Sequence, residues 1–319
     1  MSEDYKTVNY FEPTPRTRFF QWISERHFIY QKRANGVKPP WTKDKILQEY
    51  KFTNPFREND YVTIWMRENW TKPNDHKDDA EIIFNCCLFR MIGTIEFAID
   101  HKWVGDDWDP ERTKYIIEDR LKEQRKTFTG AYIITNQGIK APKSEVVVDH
   151  FLKPIWKNRY ELSAVAEDGG GLQKMHQELS KHRGWGGGGF MSYEVVTDLN
   201  YTSVLDSASD KMTWANAGPG AVRGLNRIHN RKLGKALKQD QCNIEMRDLL
   251  LFAKENSYIK SVVLKNINSN DIDMRTIEHS LCEWDKYERV RLGQGRPRSK
   301  YKAELSLFPG KAFKKGAVN

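Results

Sequence analysis

Three aspartates, Asp198, Asp206 and Asp210, follow closely on a stretch rich in glycine and basic residues. A carboxylate there can take a proton from a nucleophile or stabilise a cationic centre. Asp206 and Asp210 lie in Ser-rich loop sequence, where the same groups would serve equally well as helix caps. Asp60 closes a segment, Lys51 to Asp60, dense in polar and aromatic residues and including Arg57 and Asn59. Loops of that kind carry sites, and turn chemistry uses the same Asn and Pro. Arg183, Arg223 and Arg227 stand beside glycine-rich turns, which favours a phosphate-facing surface. His279, Cys282 and Asp285 share a helical stretch, but a zinc site needs about four ligands and this sparse face does not supply them. No metal is expected. GxxxxGK[ST] is absent, which argues against a P-loop nucleotide site. Trp41, Trp185 and Trp214 adjoin basic or glycine-rich segments, where an aromatic ring could stack on a flipped base. The chain has 10 tryptophans, so most must be core.

The element that must position these groups is a hairpin. Leu172, Met175 and Leu179 predict a helix that ends at His182 and Arg183. Gly184-Trp185-Gly186-Gly187-Gly188-Gly189 forms the turn, and Phe190, Tyr193, Val196 and Leu199 mark a second amphipathic helix. Glycines there allow positive φ and bare backbone N–H groups, so a phosphate can approach the second helix, although tight turns between core helices use glycine too. Gly218-Pro219-Gly220 repeats the theme and leads into Arg223 and Arg227.

The remaining pattern is mostly α. Helices are expected over residues 14–36, from Thr42 as N-cap, from about Asp79 to His101, and from Asp109-Pro110-Glu111 to about Lys126. Residues 131–135 read as a short strand or extended loop. Ser144, Lys232 and Asp271 open further helical stretches. Cys86 and Cys87 fall in the apolar stripe of the 79–101 helix and are expected to pack rather than react. Glu167 to Gly171 is the softest link, giving an N-terminal helical region, 1–165, and a hairpin-containing region, 172–305, in one two-lobed unit. Arg289, Arg291, Arg296, Arg298, Lys300 and Lys302 make the tail basic. The net charge of +9 points to a polyanionic partner. At 39% hydrophobic and 12% aromatic the chain is a folded protein. No apolar run suits a membrane span or a signal segment, and 4 cysteines without a CxxC pair fit a reducing cytoplasm.

Arg183-Gly184-Trp185-Gly186, a following helix and a nearby aspartate resemble the helix-hairpin-helix DNA glycosylase superfamily. There the hairpin holds the DNA backbone and an aspartate about twenty residues on serves the active site, so Asp206 and Asp210 both qualify. The lysine used by bifunctional members is missing, with Phe190, Met191, Ser192 and Tyr193 in that region. A more specific resemblance rests on several segments found together: Arg26…Tyr30-Gln31-Lys32-Arg33, Pro40-Trp41-Thr42-Lys43-Asp44, Phe52-Thr53-Asn54…Arg57…Asp60, Gly218-Pro219-Gly220…Arg223-Gly224-Leu225-Asn226 and Glu278-His279…Leu281-Cys282-Glu283…Lys286-Tyr287. This set is similar to the α-glutamyl/putrescinyl-thymine pyrophosphorylase family, also described as the helical domain associated with 5-hydroxymethyldeoxyuridine DNA kinases. It covers about residues 14–302.

The resemblance implies a glycosylase-like helical fold and a phage enzyme of the infected host's cytoplasm that replaces pyrophosphate on 5-(pyrophosphoryloxymethyl)uracil in double-stranded DNA with an amine. The co-substrate would be a free amino acid or a polyamine, and the partners other phage base-modification enzymes, with no membrane. A DNA base glycosylase and a non-catalytic DNA-binding partner of a kinase are the alternatives. Asp210, Asp206 or Asp60 would accept the amine proton; Arg57, Arg223 and Arg227, with Asn59 and Trp41, would hold the pyrophosphorylated base. Arg183, Gly184, Trp185, Gly186, Gly187 and Gly188, with Arg296, Arg298 and Lys300, would bind DNA. No cofactor is required, a monovalent cation at the hairpin being the one candidate.

Overall fold

The structure, a computed structural model, describes residues 13–297 and 299–301. Its regular structure is helical, and among the described residues the strand-like pairing is confined to an isolated antiparallel bridge, Tyr50 with Lys300. The chain divides into two compact units. The first is Met1–Pro55, Pro219–Ile272 and His279–Asn319; the second is Phe56–Gly218 with Asp273–Glu278. The glycine run at 169–171 falls inside the second unit.

The second unit is organised on the helix Asp79–Ile92, buried at every residue from Ala80 onward. A helix buried on all sides has to be central. Phe190–Leu199, Arg159–Glu167 and Val146–Leu152 pack against it. Asp78 caps it, accepting from Ala80 N at 2.8 Å. The single helix expected from Asp79 to His101 is in fact two. Gly93 takes φ 76° and ends the first, and Thr94 starts Ile95–His101 by accepting from Phe97 N. Pro110–Lys122 begins as expected, with Asp109 accepting from Arg112 N at 3.0 Å. Residues 131–135 are loop. Ser144 is no cap: Pro142 precedes the helix, and the Ser144 hydroxyl donates to Glu118 at 2.7 Å. Cys86 and Cys87 are fully buried, and burial pushes both thiols well above their ordinary range.

The two helices of the hairpin flank the glycine turn, Leu172–Ser180 and Phe190–Leu199, the first ending at Ser180 rather than at His182 and Arg183. Its tip is held from within. Trp185 is fully buried and its indole N–H donates to Phe151 O at 3.0 Å. Asn216 donates to Gly188 O at 3.1 Å, His176 to Gly189 O at 3.0 Å, and Ser192 to both Trp185 O and Gly189 O. A monovalent cation on these carbonyls would have to displace those donors. Gly184 has φ 93°, and a Cβ there would stand 2.5 Å from the Phe151 ring, whereas Gly188 has nothing within 4 Å. Gly184→Ala is therefore expected to cost about 1–3 kcal/mol in chemical denaturation, and Gly188→Ala less than about 1.

In the first unit, Pro15–Ala34 buries Phe19, Phe20, Trp22 and Ile23, and Trp284 packs edge-on to Phe19 at 5.6 Å. Asp44, rather than Thr42, caps Lys45–Glu49, accepting from Ile46 N at 2.8 Å and Leu47 N at 3.1 Å. The Thr42 hydroxyl instead accepts from Asp44 N. Pro219–Ile228 meets the helix Met274–Arg291 through glycines one turn apart. A Cβ on Gly220 would strike the Cys282 sulfur, and one on Gly224 would stand 2.5 Å from Leu281 O. Met274–Arg291 is capped by Asp273, not Asp271, which belongs to the preceding short turn Ser269–Asp271. The region from Lys232 becomes one helix, Gln239–Glu255.

Candidate functional site

The strongest concentration of charge in the second unit surrounds Glu194, on the inward face of the second hairpin helix. Arg57 reaches its carboxylate at 2.5 Å, Arg275 at 2.8 Å and Arg90 at 3.9 Å. Arg90, from the central helix, also forks onto Asp198, one turn after Glu194, with Nη2 to Oδ1 at 2.6 Å. Arg57 continues to Asp60 at 3.7 Å and Arg275 to Glu278 at 3.3 Å. All these side chains are less than one-fifth exposed. Tyrosines close the cluster. The Tyr132 hydroxyl donates to Arg90 O at 2.6 Å, and the Arg275 guanidinium lies over the Tyr193 ring at 4.6 Å. Burial pushes the Tyr132 phenol up to about 12 and raises that of Tyr193 further.

Three arginines thus face four carboxylates, and Glu278 shares its arginine, Arg275, with Glu194. Burial drives the Glu278 acid up to about 7; the Arg275 guanidinium and the Gly218 N–H at 3.4 Å pull it down incompletely, and the Glu194 carboxylate adds to the rise. A buried carboxyl that titrates near neutrality beside guanidinium groups is equipped to take up and release a proton.

The first unit holds a different cluster. Asp285 is fully buried and receives Arg223 Nε and Arg227 Nε at 2.8 Å each, one on each oxygen, with Arg289 Nε at 3.6 Å. Arg223 and Arg289 are more than one-third exposed, so one carboxylate orients three cations of which two reach solvent. That excess of positive charge along Pro219–Ile228 suits a phosphate group. The segment at 52–54 is tied into the same unit. Arg26 donates to Phe52 O at 3.1 Å, Thr53 N to Glu283 at 2.9 Å, and the Thr53 hydroxyl pairs with His279 Nε2 at 2.6 Å. The Tyr287 hydroxyl donates to Asp44 at 2.6 Å. His279 and Asp285 therefore have protein partners, and no group of three metal-type ligands converges among the described residues.

The other residues picked from the sequence scatter. Asp210 accepts from Leu172 N and Gln173 N at 2.8 Å each, so it caps the first hairpin helix. Asp206 is exposed, and its backbone carbonyl accepts from Lys211. Asp60 and Arg57 do come together, with Asn59 in the same short turn, Arg57–Asn59. Trp41 is packed, its indole N–H donating to Val37 O at 2.6 Å. Arg183 is exposed and donates to Gln137 O at 2.7 Å; Gly187 and Gly188 are exposed, while Trp185 faces inward and Gly184 and Gly186 are close-packed. Arg296 lines a groove of about 350 Å³ with Lys45 and Tyr50, and Lys300 pairs with Glu49 at 3.1 Å. Arg298 lies outside the described residues. Arg90, Glu194, Arg275 and Glu278 had no assigned role; Arg90 and Glu194 carried the signal of a lone charge inside an apolar helical pattern, which requires a partner, whereas Arg275 and Glu278 sit in a charge-rich helix that gave none.

Comparison with known proteins adds a family. The family model described as "5-hmdU DNA kinase, helical domain" matches residues 14–296. The chain is also 22% identical over 294 residues to a protein named "5-hmdU DNA kinase" from Bacillus phage SP10. The alignment covers 84% of this chain and 44% of that relative, so the chain spans less than half of the curated protein it matches. No solved structure gives a significant match.

Proposed function

The chain belongs to the family of the 5-hmdU DNA kinase helical domain, and from that premise we propose that it modifies a thymine derivative in phage DNA by amine transfer. In this reading the C–O bond from the 5-methylene carbon to pyrophosphate breaks, a C–N bond to an amino acid or polyamine forms, and the ammonium proton passes to a carboxylate. A glycosylase-like helix-hairpin-helix fold, and a base drawn out of the duplex, belong to the same proposal. The observation that supports it is the second unit's buried cluster, which sets arginines beside a carboxyl raised by burial. In this reading Arg57 turns from Glu194 and Asp60 toward the leaving pyrophosphate, and Glu278 or Asp60 accepts the proton. Arg223, Arg227 and Arg289 offer the first unit a phosphate-holding group of its own. Asp210 is assigned to capping, since both its oxygens are used by helix amides.

A second reading follows from the 44% coverage of the phage relative: a helical DNA-binding component whose kinase partner resides in other sequence. Duplex DNA carrying pyrophosphorylated 5-hydroxymethyluracil, incubated with the protein and a pool of amino acids and polyamines, separates the two. Nucleoside digestion and mass spectrometry should show pyrophosphate replaced by one amine. An unchanged base with salt-sensitive DNA binding would favour the binding component, and a lost base would identify a glycosylase.

A further inference from the structure

The connection between Pro219–Ile228 and Gln239–Glu255, residues 229–238 of the first unit, has no role in the reading above. It carries His229, Arg231, Lys232, Lys235 and Lys238. Arg231 is committed: its guanidinium forks onto Glu245, with Nη1 to Oε1 at 2.8 Å, and His229 stands 3.4 Å from the same carboxylate. The three lysines are different. Lys232, Lys235 and Lys238 are exposed, and among the described residues none makes an ion pair.

The backbone that presents them is fixed. Asn226, fully buried, donates through Nδ2 to Leu233 O at 3.2 Å and Lys235 O at 2.9 Å, and Arg231 N closes onto Asn226 O at 2.8 Å. Lys235 N donates to Lys232 O at 3.0 Å, and Lys238 O begins the next helix by accepting from Cys242 N. With carbonyls drawn inward to one buried amide, the lysines point away from the core at a spacing of three residues. Arg231, Lys235, Leu237, Lys238, Gln241 and Ile244 line a shallow groove of about 550 Å³, in which Asp240 is the one acid.

We propose that this connection is a docking strip for a nucleic-acid backbone. Its chemistry is that of a polyanion reader: unpaired ammonium groups at regular spacing on a pre-ordered loop. Ordering the loop in advance, through Asn226 and the Arg231–Glu245 fork, removes an entropic cost that a free lysine-rich loop would meet on binding. The site rests on the DNA-acting reading given above, but it requires neither a modified base nor an amine. An unmodified duplex is therefore its probe.

The test compares wild-type protein with Lys232→Ser/Lys235→Ser/Lys238→Ser and with the corresponding triple Arg variant. Binding to a labelled unmodified DNA duplex of about 30 base pairs is measured by anisotropy over a salt series. Each phosphate contact on duplex DNA contributes about 0.9 to the slope of log K against log salt. The Ser variant should lose roughly 2–3 from that slope and more than tenfold in affinity at low salt, with an unchanged thermal melt because the side chains are exposed. The Arg variant should retain both slope and affinity. Wild-type binding with an unaltered slope in the Ser variant would overturn the strip and leave the functional proposal standing. Absence of wild-type binding to the unmodified duplex would overturn the strip as well, while the amine-transfer assay on modified DNA judges the functional proposal separately.

Discussion

Asp198→Asn is expected to remove about 3–5 kcal/mol of stability, among the largest effects of any single conservative change in this chain. Asp198 is 3% exposed and Arg90 4%, and the pair is joined by two hydrogen bonds between the second unit's central helix and its second hairpin helix. Substituting Asn removes the charge and keeps the volume, so the loss measures an uncompensated buried guanidinium rather than a cavity. Glu194, 3.9 Å from Arg90 Nη1, cannot replace Asp198, because it already receives Arg57 and Arg275 at 2.5 and 2.8 Å. Urea unfolding of the purified variant gives the value. A double variant, Arg90→Met with Asp198→Leu, should recover most of the loss, since desolvation of a buried pair nearly cancels its attraction. The exposed pair Lys126–Glu96 is the internal control: Lys126→Ala should cost less than about 1 kcal/mol. A cost below about 1 kcal/mol for Asp198→Asn would mean that water reaches this cluster.

That network also marks where reading the sequence stopped. The hairpin was legible because its two helices carry apolar residues at helical spacing and its turn is almost wholly glycine, both local signals. Asp109 as a cap was legible for the same reason. The break at Gly93 was hidden by apolar periodicity that continues through it, although Gly93-Thr94 contains both a left-handed stop and a cap. Arg223 and Arg227 were read only as cations beside a glycine-rich turn; the group they share is Asp285, a residue the sequence had weighed as a metal ligand and set aside. Several segments quoted for the family resemblance proved to bind one another, as in Arg26 with Phe52, Thr53 with His279 and Glu283, and Asp44 with Tyr287. Such pairs are 26 to 243 residues apart, and no local pattern specifies them. Asp210 shows the opposite failure. Its position after the hairpin matched a catalytic spacing, yet Gly171 leaves room for its carboxylate to close on the amides of Leu172 and Gln173. Spacing along the chain could not distinguish a cap from a base.

The second large effect is a pH dependence centred on Glu278. Its carboxyl is pushed up to about 7 in the folded protein by burial, against an ordinary value of 4.5. Between those two values the folded state holds a proton that the unfolded state has released, so stability falls as pH rises through this window. The contribution is fully present below about pH 4.5 and lost above about pH 7, and a shift of this size corresponds to about 3 kcal/mol across the window. Glu278→Gln, which keeps a neutral group of the same shape, should flatten that part of the curve and leave the variant the more stable protein at pH 8. Urea denaturation at half-unit intervals from pH 5 to 8, on both proteins, supplies the comparison. The same group has an opposite consequence for chemistry. If Glu278 accepts the amine proton, turnover must rise with pH through an apparent pKa near 7, just where stability declines, because only the ionised carboxylate is a base. The Gln variant would then lose activity at every pH, while a variant at Asp206 would keep it. A protein whose stability shows the predicted slope but whose activity is indifferent to Glu278→Gln would place the raised carboxyl in the architecture alone and return the proton to Asp60.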